Sequence, residues 1–490
     1  MSKKFRFVIV GGGTAGIISA TYLKSYWGDN AEVVLLYDHS KPGIGVGESL
    51  TPMVYDYLNY VGITRDELVK HVNATVKLGL KFKNWTGDGS EYIHTFFEPN
   101  QQVSAFNYGT AYDIINNQYQ EDYTYDSFYF DNCCIPEDPY AVQSLHIDAV
   151  LFSRYIEDKF KDRLTIIDGT VKDIILQKDL TSIDHLILDT GEKVSGDFFI
   201  DASGFQSVLF KNLPATWVDK TKWLPLDRCI PNPVPWEFDK QPPYTTSEAS
   251  DEGWILQVPL SNRWGTGYLY CSSFCSDDQA FNNFESFLNK NYNTSLNNTE
   301  KVLSFKSGYW KEQWVGNTIC VGLSSGFTEP LEATNIHHTI FQIMQFVNMF
   351  NFKVFSYDVK HYNRMMQDFY ENVYLYLRFC YTNRRNDTDF WKYMHNNIPE
   401  DVKDLEEKIK QDIINDGTFV HSPLFRQGNF TKVANGLKKI NKESYLRVLQ
   451  SRNAIGIGME ESNRYRSVKN NNRLAVVDHL EYIKKIKNTT

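Results

Sequence analysis

The segment FRFVIVGGGTAG, residues 5–16, decides the fold. Residues 5–10 form an apolar run rich in β-branched side chains, which is typical of a buried strand, and the run leads directly into a glycine-rich turn. Residues 17–26 then have the apolar spacing of a helix, and residues 31–36 form a second apolar strand. The order strand, glycine turn, helix, strand predicts a Rossmann-like βαβ unit at the start of an α/β protein.

The glycine turn predicts a dinucleotide-binding site. Glycines permit a tight turn and let the backbone approach a pyrophosphate, and the first turn of the following helix offers unpaired N–H groups to the anion. The residues predicted to form this contact are Gly11, Gly12, Gly13, Thr14, Ala15 and Gly16. The second strand ends at Tyr37-Asp38, where Asp38 is predicted to hydrogen bond to the ribose hydroxyls.

The composition is that of a globular protein and excludes some partners. A chain of 490 residues with 42% hydrophobic and 15% aromatic side chains can build a large core with aromatic-lined cavities. The formal net charge of −9 argues against a nucleic-acid partner, which would require a basic face. The seven cysteines form no CxxC pair, and no apolar run reaches the roughly 18 residues of a membrane span. We therefore expect a cytoplasmic protein with no membrane segment and no metal site.

Further segments carry a resemblance to a known family. They are GIGVGES (residues 43–49), VKLGLKFKNW (76–85), DFFIDASGFQS (197–207), GWILQVPL (253–260), GFTEPLEATN (326–335) and YTNRRNDTDFW (381–391). With these segments the chain resembles the flavin-dependent halogenases of the tryptophan-halogenase type. The resemblance implies an FAD-binding dinucleotide fold with an interleaved β-sheet substrate module and a mostly helical C-terminal cap.

The resemblance also implies a functional division of the chain at residue 340. Residues 1–340 would hold the FAD-binding module together with the substrate-side sheet, and residues 341–490 would form the helical cap that contributes to the substrate site. The apolar rhythm of residues 340–350 and the charged run of residues 400–412 both predict helices in this region.

Residues 76–83 contain the implied catalytic lysine. Apolar residues alternate here with Lys77, Gly79, Lys81 and Lys83, which predicts one continuous half-buried strand. By this pattern alone all three lysines face solvent. The resemblance implies instead that Lys77 is catalytic and receives hypohalous acid, either as a hydrogen-bond donor or as a haloamine. The sequence leaves these two roles open.

The GFTEPLEATN segment holds the other residues of the implied reaction. By the resemblance, Glu332 orients the oxidant and accepts the proton that the aromatic ring loses, with Glu329 as a competing carboxylate. The backbone N–H groups of Thr334 and Asn335 are implied to bind halide. Asn335 stands in place of the family's glycine and Ala333 in place of its serine. Because bromide and iodide are easier to oxidise, we expect them to turn over faster than chloride.

The resemblance adds residues around the flavin. The further implied FAD contacts are Glu48, Val171, Leu323 and Ile336. Val171 lies in a predicted strand, residues 164–175, and an ordinary strand residue is the alternative reading of it. Trp254 and Pro259 are implied to shield the flavin from the organic substrate. Tyr37 and Leu256 depart from the family pattern, which has an acid and a second tryptophan at these positions.

The resulting prediction is an FAD-dependent halogenase, which is an oxidoreductase. A separate flavin reductase would supply reduced FAD, and reduced FAD, O2 and halide would form hypohalous acid that halogenates an electron-rich aromatic or heteroaromatic small molecule. Two alternatives stay open: an FAD-dependent aromatic monooxygenase, and a flavin-binding protein whose catalytic site has decayed. The sequence leaves the physiological substrate and the oligomeric state open.

Overall fold

The computed structural model describes residues 4–41, 47–96, 103–119, 127–138, 141–297, 301–414 and 424–489, so most of the GIGVGES segment lies outside the described residues. The strands within these ranges are β1 (Phe5–Val10), β2 (Ala31–Tyr37), β3 (Gly47–Ser49), β4 (Thr75–Lys77), β5 (Gly79–Lys83), β6 (Glu91–Thr95), β7 (Cys134–Pro136), β8 (Ser144–Asp148), β9 (Thr165–Asp168), β10 (Val171–Leu176), β11 (Ile183–Leu188), β12 (Lys193–Ser195), β13 (Phe198–Asp201), β14 (Trp217–Asp219), β15 (Arg228–Pro235), β16 (Tyr244–Ala249), β17 (Gly253–Leu260), β18 (Arg263–Tyr270), β19 (Leu303–Ser304), β20 (Gly308–Trp310), β21 (Trp314–Val315), β22 (Thr318–Cys320), β23 (Gly326–Phe327) and β24 (Val476–Asp478).

The α-helices in the same ranges alternate with these strands in the first part of the chain and dominate its last part. They are α1 (Thr14–Trp27), α2 (Val54–Val61), α3 (Arg65–His71), α4 (Val103–Ile115), α5 (Ser127–Asn132), α6 (Ala149–Phe160), α7 (Asp277–Tyr292), α8 (Thr334–Met349), α9 (Ser356–Cys380), α10 (Asp389–Asn396), α11 (Glu400–Gln411), α12 (Gln427–Gly436), α13 (Lys442–Ser451), α14 (Ile455–Asn472) and α15 (His479–Asn488). None of the helices that the structure describes combines the length and the apolar character needed to cross a membrane.

The chain divides into two compact units, each assembled from three separate segments. The first unit contains residues 1–74, 147–221 and 305–370, and the second unit contains the segments between and after them. The last boundary lies inside α9, between residues 370 and 371. The division into an FAD-binding module with an interleaved substrate-side sheet, residues 1–340, and a helical cap, residues 341–490, stays a prediction.

The first unit is built on a six-stranded sheet in the order β21-β22-β13-β1-β2-β9. Its central strand β1 runs parallel to both neighbours, and Val10 at its end pairs with Leu36 on one side and Asp201 on the other. Residues 7–9 are completely buried, as expected for a parallel strand covered on both faces. Helix α1 follows β1 after the glycine turn and packs against α6 and α8. This arrangement confirms the predicted Rossmann-like α/β fold.

Residues 164–176 differ from the prediction of a single strand, which is wrong. The chain bends at Gly169-Thr170 and separates β9 from β10. Strand β9 extends the parallel sheet beside β2, whereas β10 pairs antiparallel with β11. Because each half joins a different sheet, a bend is needed where the apolar pattern alone shows none.

The second unit is built on a seven-stranded sheet in the order β19-β15-β18-β17-β16-β5-β6. Only the β16–β5 pair is parallel among the strand pairs described for this sheet. Helix α7 packs its apolar side against β18 and neighbouring strands, with Phe284 and Leu288 fully buried. From residue 389 onward the described chain is helical apart from β24 and the connecting turns, which confirms the mostly helical C-terminal region.

Residues 75–83 form two strands, so the prediction of one continuous strand is wrong. Strand β4 ends at Lys77 and pairs antiparallel with β8, while β5 begins at Gly79 and joins the seven-stranded sheet beside β16. Leu78 lies between them, and its N–H donates to the Pro243 carbonyl oxygen at 2.7 Å. The chain therefore changes sheets at Leu78, and a side-chain pattern read across this residue does not describe one surface.

Candidate functional site

The glycine loop, residues 11–16, is packed so closely that side chains cannot be added at most of its glycines. A Cβ atom at Gly11, where φ is +119°, would lie 2.3 Å from the Ala202 carbonyl oxygen, and one at Gly12 would lie 2.4 Å from the Tyr37 ring. A Cβ at Gly13 would meet no atom within 4 Å. The loop is thus tight against the protein on one side and open at Gly13, which suits a backbone that receives a pyrophosphate.

Helix α1 begins at the open end of this loop. Its first residue is Thr14, and no side chain caps its first turn. The 3₁₀ turn of residues 322–324 lies against the loop, since a Cβ at Gly322 would be 2.7 Å from the Ala15 Cβ. This turn carries Leu323, a predicted FAD contact, so within the first unit the structure brings two predicted flavin segments together. Uncapped N–H groups at a helix N-terminus are suited to an anion.

Asp38 and Tyr37 occupy the end of β2 but differ in what they contact. The Asp38 carboxylate accepts hydrogen bonds from Ser40 N–H at 2.9 Å and Thr170 Oγ1 at 3.2 Å, and it pairs with Lys41 at 3.1 Å. The hydrogen bonds from Ser40 and Lys41 hold the pKa of Asp38 below its usual range. Asp38 is therefore ionised and able to accept ribose hydroxyls, and this contact stays a prediction. Tyr37 instead covers Gly12 with its ring.

The remaining predicted flavin contacts all lie in the first unit. Glu48 is in the middle of β3, and desolvation of its carboxyl group raises its pKa to about 7. Val171 is the first residue of β10 and packs, partly buried, against the apolar cluster beside the parallel sheet. Ile336 is buried in the first turn of α8. Their flavin contacts stay predictions.

The predicted halide residues form a tight turn at the start of α8, which we call the halide turn, residues 333–335. Ala333 precedes the helix with φ of +59°, a left-handed conformation that an alanine rarely adopts, and no side chain caps the helix. Thr334 is buried and its Oγ1 lies 3.0 Å from Thr328 Oγ1, while Asn335 is partly exposed. The Ala333 N–H bonds back to the Pro330 carbonyl oxygen at 3.4 Å, so the N–H groups that a halide could use are those of the first turn of α8.

Both acidic residues of the GFTEPLEATN segment are buried. Glu332 closes the short 3₁₀ turn that starts at Pro330 and is 3% exposed, and Glu329 is 0% exposed. Burial alone therefore does not distinguish the predicted carboxylate, Glu332, from its competitor. Two histidines follow in α8: His337 Nδ1 lies 2.7 Å from Thr51 Oγ1, and the His338 ring stacks on Phe369. Burial lowers the pKa of both histidines, to about 4 for His337.

Lys77 is completely buried in the second unit, so its placement on a solvent-facing strand by pattern alone is wrong. Its Nζ lies 4.7 Å from the centre of the Phe96 ring. In the β4–β8 ladder Lys77 is opposite Ser144, and Thr75 is opposite His146. We call these four side chains the lysine face. All four are 0% exposed, whereas the opposite side of the same ladder carries the apolar Val76 and Leu145.

Hydrogen bonds fix the protonation of the histidines at this face. The Thr75 hydroxyl donates to the Pro259 carbonyl oxygen at 2.7 Å, so at 2.8 Å it accepts from His146 Nδ1. Burial, followed by the charge of Lys77, lowers the pKa of His146 well below its ordinary value. His146 is therefore neutral, and its Nε2 accepts from Thr245 Oγ1 at 3.0 Å.

A second histidine supports the same strand. The Val76 N–H donates to His479 Nε2 at 2.9 Å, so this nitrogen carries no proton. His479 Nδ1 then donates to the Gln241 carbonyl oxygen at 3.1 Å. Both imidazoles therefore add no charge to the surroundings of Lys77.

The predicted flavin-shielding residues lie in β17 of the second unit. Trp254 is completely buried and pairs with Ala249 and Leu269. The Pro259 carbonyl oxygen is the group that receives the Thr75 hydroxyl, which ties this strand to the lysine face. Leu256, which replaces the family's second tryptophan, is partly exposed. The shielding role stays a prediction.

Sequence reasoning missed four polar residues around Lys77: Thr75, Ser144, His146 and His479. Ser144 and His146 alternate with apolar neighbours in residues 144–147, and Thr75 and Lys77 do the same around Val76. This period of two on both strands was a usable signal, but it does not show which strands pair. His479 lies in the C-terminal tail, far from any motif, and carried no signal at all.

The chain is similar in sequence to known proteins. The family model described as tryptophan halogenase matches residues 6–452. Tryptophan 7-halogenase RebH of Lentzea aerocolonigenes is 29% identical over 427 residues, which is 80% of this chain and 79% of RebH. Tryptophan 6-halogenase SttH of Streptomyces toxytricini is 27% identical over 450 residues, 83% of each chain.

Solved structures share the fold. The tryptophan halogenase from Shewanella frigidimarina superposes with a TM-score of 0.89 at 22% identity, covering 99% of this chain and 98% of that one. Tar14, a tryptophan C-6 flavin-dependent halogenase from taromycin biosynthesis, gives a TM-score of 0.86 at 24% identity and covers 99% of this chain and all of its own. At these identities the likeness shows the fold alone. His479 lies beyond the part of the chain that the family model matches.

Proposed function

Because the chain belongs to the tryptophan halogenase family, whose members are flavin-dependent oxidoreductases, we propose that it uses reduced FAD, O2 and a halide to generate hypohalous acid. The acid then halogenates an electron-rich aromatic or heteroaromatic small molecule. FAD, when bound, supplies the oxygen chemistry, and a separate flavin reductase supplies it in reduced form. The glycine loop supports this proposal, because its open side at Gly13 and the uncapped start of α1 fit a dinucleotide pyrophosphate.

The observation that carries the proposal is the complete burial of Lys77 on a polar face. Lysine is almost never fully buried, since removing an ammonium from water is costly. Here the side chain lies within hydrophobic and hydrogen-bonded surroundings, over the Phe96 ring and beside a neutral His146. A lysine buried at such a cost is expected to act on a ligand.

Lys77 has two chemical roles open to it in this proposal. As an ammonium it donates a hydrogen bond to the oxygen of hypohalous acid and makes the halogen more electrophilic. As an amine it forms a haloamine, releasing water. In either case the halogen replaces one hydrogen of the ring, and the ring proton passes to a carboxylate, which we propose is Glu332.

We propose that halide binds at the halide turn through the N–H groups of Thr334 and Asn335. Ala333 adopts the left-handed conformation that starts α8, and no side chain competes for the N–H groups of the first turn. Bromide and iodide are easier to oxidise than chloride, and we propose that they turn over faster.

The test supplies reduced FAD through a generic flavin reductase, with chloride, bromide and iodide in parallel and a panel of indoles and phenols. Mass spectrometry compares wild type with Lys77→Ala and with Lys83→Ala. Lys83 is a matched control because it lies in β5, the next strand along the chain, and pairs with Glu91 near the surface. Halogenated product is expected from wild type and the control. In Lys77→Ala the rate of halogenated-product formation is expected to fall at least about 100-fold, which is the scale of removing a charge-stabilising group.

Three results contradict the proposal in different ways. Oxygenated product that does not depend on halide would identify an FAD-dependent monooxygenase and remove the role of Lys77. Flavin binding without any product across the panel would identify a protein whose catalytic site has decayed. Chlorination as fast as bromination would leave the halogenase proposal intact and contradict only the halide preference.

A further inference from the structure

The lysine face contains a buried hydroxyl group, that of Ser144, which has no role in the reaction proposed above. Ser144 is 0% exposed, and among the residues that the structure describes its Oγ has no hydrogen-bond partner. The other members of the face do have partners: Thr75 bonds to Pro259, His146 bonds to Thr75 and Thr245, and Lys77 lies over Phe96. Buried hydroxyls are nearly always hydrogen bonded, so an exception next to a buried lysine calls for a ligand.

Strand register places this hydroxyl beside Lys77. The two residues are direct partners in the antiparallel β4–β8 ladder. Side chains of direct partners point to the same face of the ladder, with Cβ atoms about 5 Å apart. The neighbouring pair on the other face, Val76 and Leu145, packs in the apolar core. Ser144 and Lys77 therefore present their polar groups to the same buried space.

We propose that Ser144 Oγ binds the hypohalous acid that Lys77 receives, by donating a hydrogen bond to its oxygen. This inference rests on the proposed function and adds a second oxidant-binding group to it. Two donors on one oxygen withdraw electron density from the O–X bond and fix the direction of the halogen. When the O–X bond breaks, the halogen joins the ring carbon. The oxygen keeps the bonding electrons, takes up a proton from the Lys77 ammonium and leaves as water, while the ring proton passes to Glu332 as proposed above.

The surroundings of the two donors favour a small neutral oxidant. His146 faces the site from β8 and is neutral, and His479 faces β4 and is neutral because its Nε2 accepts from Val76. Thr75 uses its hydroxyl proton on the Pro259 carbonyl oxygen. Ser144 is thus the hydroxyl of the lysine face whose proton is still available for a ligand.

The test measures how the oxidant is divided between substrate and solution. Ser144→Ala is compared with wild type under the halogenation conditions above, with a soluble β-diketone trap that reacts with any released hypohalous acid. We expect total halide oxidation to be unchanged and the ratio of halogenated substrate to trapped oxidant to fall roughly tenfold, the scale of one lost hydrogen bond. The melting temperature is expected to be unchanged or higher, because alanine removes a buried unpaired hydroxyl.

A matched control is available in the same unit. Ser247 is also 0% exposed with an unpartnered Oγ among the described residues, but it lies in β16 opposite Phe82, five positions beyond Lys77. Ser247→Ala is expected to leave the product-to-trap ratio unchanged. Ser144→Thr, which retains the hydroxyl, is expected to recover most of the ratio.

Failure of the inference and failure of the proposed function give different results. If wild type halogenates and Ser144→Ala keeps the same product-to-trap ratio, the inference is overturned and the function stands. A lower melting temperature for Ser144→Ala would also overturn it, since the hydroxyl would then have a structural partner. If wild type oxidises no halide, both the function and the inference are overturned.

Discussion

The glycine loop and the lysine face differ in the groups that they present to their proposed ligands. The loop offers backbone, because side chains at Gly11 and Gly12 would collide with Ala202 and Tyr37. The lysine face offers side chains, all completely buried. The loop is formed by neighbours along the chain, whereas the face exists only when β4 pairs with β8, which brings together residues 71 positions apart. Substitutions in the loop should therefore act through steric strain. Substitutions in the lysine face should act through lost hydrogen bonds and altered charge.

The largest expected effect is on stability, in the glycine loop. In Gly11→Ala the new Cβ meets the Ala202 carbonyl oxygen at 2.3 Å and φ of +119° is unfavourable for alanine. The Ala202 carbonyl is backbone at the residue that follows β13, and the Ala202 N–H bonds to the Val10 carbonyl oxygen at 2.9 Å, so the clash cannot be relieved by a side-chain movement. We expect the free energy of unfolding to fall by about 3 kcal/mol or more, measured by urea denaturation.

The matched change in the same loop is Gly13→Ala. Its Cβ would meet nothing within 4 Å, and Gly13 has a negative φ of −75°, so the free energy of unfolding should change by less than about 1 kcal/mol. FAD binding, followed by flavin fluorescence, should nevertheless weaken, because the new methyl group enters the open side of the loop. Equal stability losses in the two variants would remove the distinction between the closed and open sides.

The second prediction concerns pH and separates the lysine face from the glycine loop, which has no titrating group of its own. His146 stays neutral in the folded protein because its pKa is lowered, while in the unfolded chain it takes up a proton near pH 6.5. The stability that neutral, buried His146 contributes is therefore present above pH 6.5 and is lost as the pH falls below this value. The expected slope is about 1.4 kcal/mol per pH unit.

His146→Gln tests this slope by urea denaturation between pH 7 and pH 5. The variant should have a lower free energy of unfolding than wild type at pH 7. As the pH falls, however, its free energy of unfolding should decrease by about 1.4 kcal/mol less per pH unit than that of wild type. The difference between the two proteins is the quantity to measure, because Glu48, with a pKa raised to about 7, acts in the opposite direction over this range. His337→Gln should flatten the curve similarly down to about pH 4. Parallel curves for wild type and His146→Gln would show that His146 takes up its proton at the same pH in the folded and unfolded protein, contrary to a lowered pKa.

The same contrast explains how much could be predicted from sequence. The fold and the glycine loop follow from local rules, because residues 5–16 contain both the strand that enters the loop and the glycines that its contacts require. The strand run of residues 76–83 was misjudged, because the change of sheets at Leu78 depends on its hydrogen bond to Pro243, far along the chain. Local alternation cannot show such a partner.

The lysine face illustrates the same limit at the level of a site. The resemblance singled out Lys77, but its burial and its partner Ser144 follow from the pairing of β4 with β8. His479 contributes through the backbone N–H of Val76, and a backbone contact leaves no pattern in the side chains. Sites made by distant segments therefore need the structure, even when one of their residues is recognisable.

The smallest expected effect is in the halide turn. Like the glycine loop it is proposed to bind its ligand through backbone N–H groups, but it has an alanine at a position whose backbone conformation favours glycine. Ala333 has φ of +59°, and an alanine in this region costs about 1 kcal/mol, partly offset in Ala333→Gly by the greater freedom of glycine when unfolded. We expect Ala333→Gly to raise the free energy of unfolding by about 0.5 kcal/mol. Ala280→Gly, inside helix α7, should instead lower it by about 1 kcal/mol or more. A loss of stability in Ala333→Gly would mean that the buried Ala333 methyl group contributes more by packing than its backbone strain costs, and the halide turn would then depend on side chains as the lysine face does.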